Sequence, residues 1–488
     1  MSEATKDFFK LHSQIMEQFK AFSQSFVDIE DSQILKELEK YGNDKSMWPE
    51  PLIQFNPSYQ EGAAFSDLIS EGLFDPRMDK IFTGFHLYKH QEEALRLGAN
   101  GKDFTVTSGT GSGKSLTFLG TIINDVLKNN SEGVTGLIVY PMNALINSQT
   151  NEIEKYATNY KNQTGEDFPV TFRQYTGQEN DTAREEIRKN PPHILLTNYM
   201  MLEYLLTRLS DDTVKQAIFK NLKYIAFDEL HTYRGRQGAD VAILIRRIKA
   251  ECKNHITCMG TSATIASGGT AEERKAEVAK VASLFFGQKF EINQIIEESL
   301  KSISKGSKPF DVEVKSAVES FNAEISNEDD LISNPLFKWL EHSVALTKDG
   351  DILRRGMPLT LNEIATKLSD STKLDEQKCE DVLKLLFNSI SKVNDEINKE
   401  NTEKGTRKNF ILPYKLHQFI SQSTSVTVTL HKPPVTADEP TKRVVCFEGL
   451  PSKNVDGEDC PLYPVVFSRT SGKPFICVRR NEKEAILE

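Results

Sequence analysis

The run Thr105–Ser115, read as TVTSGTGSGKS, constrains the fold more than any other stretch of this chain. A β-branched segment leads into a glycine-rich loop that closes on Gly113-Lys114-Ser115, and a helix is expected behind it over Leu116–Leu127. Glycines permit the turns that point successive backbone N–H groups into one hollow, and the first turn of the helix adds its own unpaired amides. Such a strand–loop–helix unit is a cradle for a polyphosphate. Ser108, Gly109, Thr110, Gly111, Ser112 and Gly113 form its wall, Lys114 reaches the β- and γ-phosphates, and the Ser115 hydroxyl is placed to ligate Mg2+. Ser108 stands where the strict pattern has glycine.

A loop of this kind belongs at the carboxyl end of a strand in an open parallel sheet, and the surrounding pattern agrees. From about Phe85 to Phe290, short apolar runs alternate with helical segments. The expected strands are Phe104–Thr107, Leu137–Tyr140, Thr171–Tyr175, Ile194–Thr197, Tyr224–Phe227 and Thr257–Gly260, which predicts an α/β, doubly wound parallel sheet.

At 488 residues the chain is long enough for several domains, and 38% hydrophobic with 27% charged residues is ordinary for a folded protein. A formal charge of −10 argues against non-specific coating of nucleic acid while leaving room for a local basic groove. The six cysteines show no closely spaced framework and no pair with metal-ligand spacing, which suits a reducing compartment. No apolar run approaches a membrane span, and Lys10, Glu17 and Lys20 interrupt any signal-peptide core, so a cytoplasmic protein is expected.

Four regions are expected. Residues 1–84 form a helical extension and linker: Phe8, Leu11, Ile15, Phe19, Phe22 and Phe26 recur at helical spacing as a face for the central domain, and Trp48–Pro57 reads as an extended linker. Residues 85–292 are the sheet domain. Residues 293–420 are helical: Glu297–Asp330 reads as exposed helix, and helices around Asn362–Leu368 and Glu376–Ile390 fit either a winged helix or a small helical insertion. Lys399–Lys408 reads as a charged loop. Residues 421–488 are β-rich, with strands Ser425–Leu430, Arg443–Glu448, Val465–Arg469 and Phe475–Arg479.

Asp228-Glu229-Leu230-His231 follows the apolar strand Tyr224–Phe227. An Asp at a strand end can hold Mg2+, and the adjacent Glu can orient and deprotonate an attacking water. Thr261-Ser262-Ala263-Thr264 ends the next strand, where its hydroxyls are within reach of Asp228 and His231. Tyr88-Lys89-His90-Gln91 opens a helix before the phosphate loop. The Gln91 amide offers the donor and acceptor that adenine's N6 and N7 edge requires, and Tyr88 or Phe85 can stack on the ring.

In this order, Gln91, SGTGSGKS, Tyr140–Leu145, Tyr175-Thr176-Gly177, Thr197-Asn198-Tyr199, DELH and Ser262-Ala263-Thr264 resemble the first RecA-like domain of superfamily-two DEAD/DEAH-type helicases, most densely over Phe85–Ile265. DELHTYRGRQGADVA (Asp228–Ala242), YPMNALINSQ (Tyr140–Gln149) and Trp48–Gly72 are similar to large bacterial helicases of the Mrf repair type and of DISARM and Druantia anti-phage islands. The resemblance implies ATP and Mg2+ as cofactors, with Lys114, Asp228, Glu229 and His231 catalytic and Ser262 and Thr264 coupling nucleotide state to movement. It implies a nucleic-acid partner, DNA before RNA, with Pro141, Asn143, Thr176, Gly177, Thr197 and Asn198 along one phosphate backbone. It also implies a second RecA-like domain, in cis or in trans, and other defence proteins as partners. No arginine-rich motif of that second domain follows Thr264, so the chain is expected to be an ATP-binding front half that ends within the family's insertion. The alternative is a nucleotide-dependent binding module that clamps nucleic acid or a partner without unwinding.

Overall fold

Strands whose residues are apolar without alternation must be covered on both faces, and helices supply the cover. The computed structural model of the chain describes residues 8–24, 29–43, 48–109, 111–263, 270–350, 352–404, 408–420, 426–430, 443–455, 457–478, 480–481 and 486–487. Phe26, Thr110, Thr264, Ser425 and Arg479 therefore lie outside the described residues.

The strands are β1 (Phe104–Thr107), β2 (Gly136–Tyr140), β3 (Phe172–Tyr175), β4 (Ile194–Asn198), β5 (Tyr224–Phe227), β6 (Thr257–Ser262) and β7 (Ile295–Glu297). They form a seven-stranded sheet in the order β7-β1-β6-β5-β2-β4-β3. Every pairing is parallel. All residues of β2, β5 and β6 are buried. This is the expected RecA-like α/β sheet, with one strand more than anticipated. β7 is only three residues long and lies in a polar stretch, too short to show a period.

One face of the sheet is packed by the helices Lys89–Ala99, Ser115–Asn129 and Asn143–Thr164, with Phe65, Leu68 and Phe74 from the N-terminal extension. The other is packed by Tyr199–Thr207, Asp212–Asn221, Gly235–Glu251 and Ala271–Phe286. The helix after the phosphate loop is buried along most of its length.

A second core lies outside the sheet domain. It joins the helices Asp311–Ser320, Pro335–Leu340, Leu361–Thr372 and Glu376–Lys404 to a small sheet. In that sheet Leu52–Phe55 is the middle strand, antiparallel to Leu359–Thr360 and to Tyr414–His417. The segment expected as a linker is thus part of a core, because Ile53 and Phe55 alternate inward onto helices hundreds of residues away. Glu297–Asp330, expected to be exposed helix, buries Val314 and Val318 in that core. The charged loop expected from Lys399 begins as helix: Val393 and Ile397 continue the buried stripe of Leu386 and Ile390, so the helix runs on to Lys404.

The last region forms an antiparallel sheet in the order Val445–Cys446, Val426–Thr429, Glu458–Phe467, Ser452–Val455, with Pro474–Ile476 also on Glu458–Phe467. The N-terminal extension divides among neighbours rather than serving the sheet domain alone. Helix Phe8–Gln24 sets Phe8 against Tyr414 and Phe9 against Phe387, while Ile34 packs into the core of the last sheet. Leu11, Ile15 and Phe22 of the expected face are 45%, 54% and 60% exposed.

Candidate nucleotide and nucleic-acid site

Strand order positions the chemistry. β6 lies between β1 and β5, so the loop after β1, the hydroxyl pair ending β6 and the acidic pair after β5 stand side by side at the carboxyl end of the sheet. Gly111 and Gly113 take φ +82° and +70°, the left-handed turns the cradle requires. Ser108 Oγ lies 2.5 Å from Ser112 Oγ, which ties the start of the loop to its far side.

Lys114 is 7% exposed and donates to the carbonyls of Ser108 at 2.9 Å and Gly109 at 3.3 Å. Its Nζ is 3.9 Å from Glu229 Oε1. Burial pulls the Lys114 ammonium below its ordinary range, and the neighbouring Glu229 and Asp228 carboxylates oppose that shift. Asp228 is buried, which pushes its carboxyl up, while the hydroxyl of Thr261 donates to Oδ1 and favours the ionised form. Glu229 holds a left-handed φ of +52°, a conformation uncommon for a non-glycine residue. Its backbone N–H donates to Thr261 Oγ1 at 3.3 Å. Its Oε2 is buried without a hydrogen bond among the described residues, and lies 3.2 Å from His231 Nδ1. His231 Nδ1 is also 3.2 Å from Ser262 Oγ, so a polar chain runs from the acidic pair to the end of β6.

Gln91 is 4% exposed, and its amide is engaged within the protein. Oε1 accepts from Tyr88 N at 2.9 Å, and Nε2 donates to Ser112 O at 3.2 Å and Gly113 O at 3.1 Å. In this state the amide braces the phosphate loop, and reading a base requires those bonds to exchange. A cavity of about 580 Å3 opens beside it, lined by Phe85, Tyr88, Gln91, Gly113, Ser115 and, from the second core's side, Asn409.

The expected nucleic-acid residues also gather at the carboxyl ends of β2, β3 and β4, with two differences. Thr197 is fully buried and donates to Tyr175 O at 2.6 Å. Thr176 is buried, and Glu179 accepts from both its N–H and its hydroxyl at 2.7 Å. These threonines shape the strand ends. Asn143 and Asn198, joined at 2.8 Å, and Pro141 are half-buried, and Gly177 is exposed.

Two residues that sequence reasoning did not single out touch the loop. Gly109 N donates to Glu298 Oε2 at 3.0 Å, and Arg355 pairs with Glu298 at 3.2 Å. The adjacent pairs Glu297-Glu298 and Arg354-Arg355 were visible as sequence, but nothing local connects them across more than fifty residues.

A donor set of one hydroxyl and one carboxylate, Ser115 and Asp228, fits a hard divalent ion that takes its remaining ligands from phosphates and water. Among the described residues no group of three or more His, Cys, Asp or Glu side chains could hold a metal ion by itself. No helix among them is long and apolar enough to cross a membrane.

The family model for DEAD/DEAH box helicases matches residues 88–271. An uncharacterised ATP-dependent helicase of Methanocaldococcus jannaschii, MJ1574, is 34% identical over 191 residues, covering 37% of this chain and 26% of the relative. The Druantia protein DruE of Escherichia coli is 26% identical over 333 residues, covering 44% of this chain and 18% of the relative. A crystal structure of the DUF1998 helicase MrfA bound to DNA aligns with 60% of this chain and 40% of that one, at 22% identity and a TM-score of 0.41. The chain thus spans about a quarter or less of the two curated relatives. The region that holds the phosphate loop, the acidic strand end and the hydroxyl pair of β6 is a DEAD/DEAH box helicase domain.

Proposed function

We propose that this chain is the ATP-binding part of an ATP-dependent DNA helicase or translocase. The observation that carries the reading is the convergence of Lys114, Asp228, Glu229 and Thr261 at the carboxyl end of the sheet, with Lys114 and Glu229 3.9 Å apart though they belong to different strand ends. Lys114 exchanges its loop carbonyls for phosphate oxygens. Ser115 and Asp228 would hold Mg2+, which when bound would neutralise charge on the phosphates. Glu229, whose Oε2 makes no hydrogen bond among the described residues, orients the attacking water and takes its proton. Ser262 and His231 relay the state of the site to the segment after β6.

Pro141, Asn143, Gly177 and Asn198 offer backbone and amide groups to one strand's phosphates, contacts that carry no sequence information. A second RecA-like domain, in the same polypeptide or in trans, supplies the arginine that stabilises the transition state. A role in anti-phage defence or DNA repair is part of this reading, supported by the resemblance of Tyr140–Gln149 and Asp228–Ala242 to helicases of the Druantia and Mrf types and by the 26% identity to DruE. On this reading the chain alone binds ATP and hydrolyses it slowly. The test is ATP binding and hydrolysis with single-stranded DNA, duplex DNA, RNA and no nucleic acid, beside Lys114→Ala. Nucleotide binding equal in wild type and Lys114→Ala would sink the ATP-site reading. Stronger stimulation by RNA than by DNA would replace the substrate class.

A further inference from the structure

The phosphate loop already holds an anion, and the protein supplies it. Gly109 N–H, one of the donors of the cradle, points at Glu298 Oε2 at 3.0 Å. Glu298 directly follows β7, and its own N–H donates to Thr107 O at 3.1 Å, so the backbone that presents the carboxylate is stitched to the strand that presents the loop. A carboxylate on a loop amide imitates a phosphate oxygen in charge and hydrogen-bond geometry.

The carboxylate is not left as an isolated charge. Arg355 reaches it with Nη2 at 3.2 Å and Nε at 3.4 Å. The same guanidinium is fixed from the far side by Phe55 O at 2.9 Å, Tyr59 Oη at 3.1 Å and Asn56 Oδ1. A Cβ at position 109 would sit 2.7 Å from Arg355 Nη2, so the glycine is what admits the arginine to the loop. Arg355 ends a hairpin, Leu346–Asp349 with Ile352–Arg355, and the two residues just before it, Val344 and Ala345, are buried in the second core. Arg354 reinforces the same junction, bonding Glu297 at 3.2 Å and Asp349 at 2.7 Å.

We propose that Glu298 is a built-in competitor for the nucleotide's terminal phosphate, and that Arg355 holds it on the loop and passes to the phosphate when the carboxylate is displaced. This rests on the reading of the loop as an ATP site. A triphosphate entering the cradle brings like charge against Glu298, which must leave the Gly109 amide, and its departure frees a guanidinium beside the polyphosphate. ATP occupancy is thereby read by the hairpin and passed to the second core, whose Val344 and Ala345 lead directly into it. ADP, without the terminal phosphate, leaves the pair in place.

The test is calorimetric titration of the full chain with ATP and with ADP, for wild type, Lys114→Ala, Glu298→Gln, Arg355→Ala and the double variant, with circular-dichroism melts of each. Glu298→Gln is expected to tighten ATP by about fivefold to tenfold and ADP by less, since a neutral amide no longer repels phosphate. Arg355→Ala is expected to weaken ATP by about tenfold, and Glu298→Gln to recover part of that loss in the double variant. If Glu298→Gln melts below wild type, Glu298→Asp carries the same test, because it keeps a charge for Arg355 but withdraws the oxygen from Gly109. Wild-type ATP binding that Lys114→Ala removes and neither Glu298 variant strengthens would overturn the inference and leave the ATP site standing. Absence of ATP binding in wild type and in both Glu298 variants would overturn both. Binding that emerges only in the Glu298 variants would support the competitor.

Discussion

The sheet domain and the second core are both well packed, yet they are assembled in opposite ways. In the sheet domain each working group sits in or beside the strand that presents it: Lys114 follows β1, Asp228 follows β5 and Thr261 lies within β6. In the second core the central strand Leu52–Phe55 pairs with Leu359–Thr360 and Tyr414–His417, so its hydrogen bonds close over some three hundred residues. The difference teaches where perturbation travels. A change in the sheet domain's site should alter chemistry with little effect on folding, whereas a change in the second core should alter folding before chemistry.

The largest separation is expected from Lys114→Ala. ATP hydrolysis should fall by about a hundredfold or more, since a buried cation aimed at transferring phosphates is lost, while the melting temperature stays close to that of wild type. A large drop in melting temperature would show that Lys114 also holds the loop together through Ser108 O and Gly109 O.

Phe55→Ala is the converse. Phe55 is 4% exposed, stacked on Phe387 at 5.8 Å and tilted against Tyr414 at 6.3 Å. Its truncation should cost about 3–5 kcal/mol. Both tryptophans of the chain, Trp48 and Trp339, lie outside the sheet domain, so their fluorescence follows the second core and its flank. Denaturation watched by fluorescence should shift to lower denaturant, and ATP affinity measured below that transition should change little. Equal shifts in fluorescence and in nucleotide binding would mean that the two regions unfold as one.

Asp228→Asn tests the cost of the site to the fold. Burial raises the Asp228 pKa above its ordinary value. The folded state therefore keeps that proton over a pH range in which the unfolded chain has lost it. Stability falls as pH rises from the ordinary carboxylate value through the raised one. Asn should remove that slope and raise stability at neutral pH by about 1 kcal/mol, with hydrolysis abolished. Melting curves of wild type and variant across acidic to neutral pH decide it, and parallel curves would count against the burial argument.

The smallest effect is expected at Thr360, whose hydroxyl accepts from Glu363 N at 3.1 Å while its own N–H donates to Glu363 Oε2 at 2.8 Å. Thr360→Ala should cost about 1 kcal/mol, seen by tryptophan fluorescence and not by nucleotide binding.

These contrasts follow how each region is written in the chain. The glycine-rich loop, the acidic pair and the hydroxyl-rich end of β6 are short runs whose residue types, on the proposed reading, are dictated by the groups they would hold. The six expected strands of the sheet domain were legible because unbroken apolar runs bounded by turns leave few other choices. Trp48–Pro57 reads as a linker for the opposite reason: a short, proline-flanked strand such as Leu52–Phe55 carries no local sign of its partners. Gln91 was recognisable as a residue of the site, but its bonds to Tyr88, Ser112 and Gly113 depend on how helix and loop meet.

Sequence alone determined a glycine-rich loop on a doubly wound sheet, with the carboxylates and hydroxyls that stand beside it, because local backbone geometry and residue chemistry dictate both. Tertiary structure alone decided that Glu298 occupies a loop amide, that Arg355 accompanies it, and that an N-terminal strand completes a core more than three hundred residues downstream. Those pairings depend on which distant surfaces meet when apolar area is buried, and no local propensity encodes that choice.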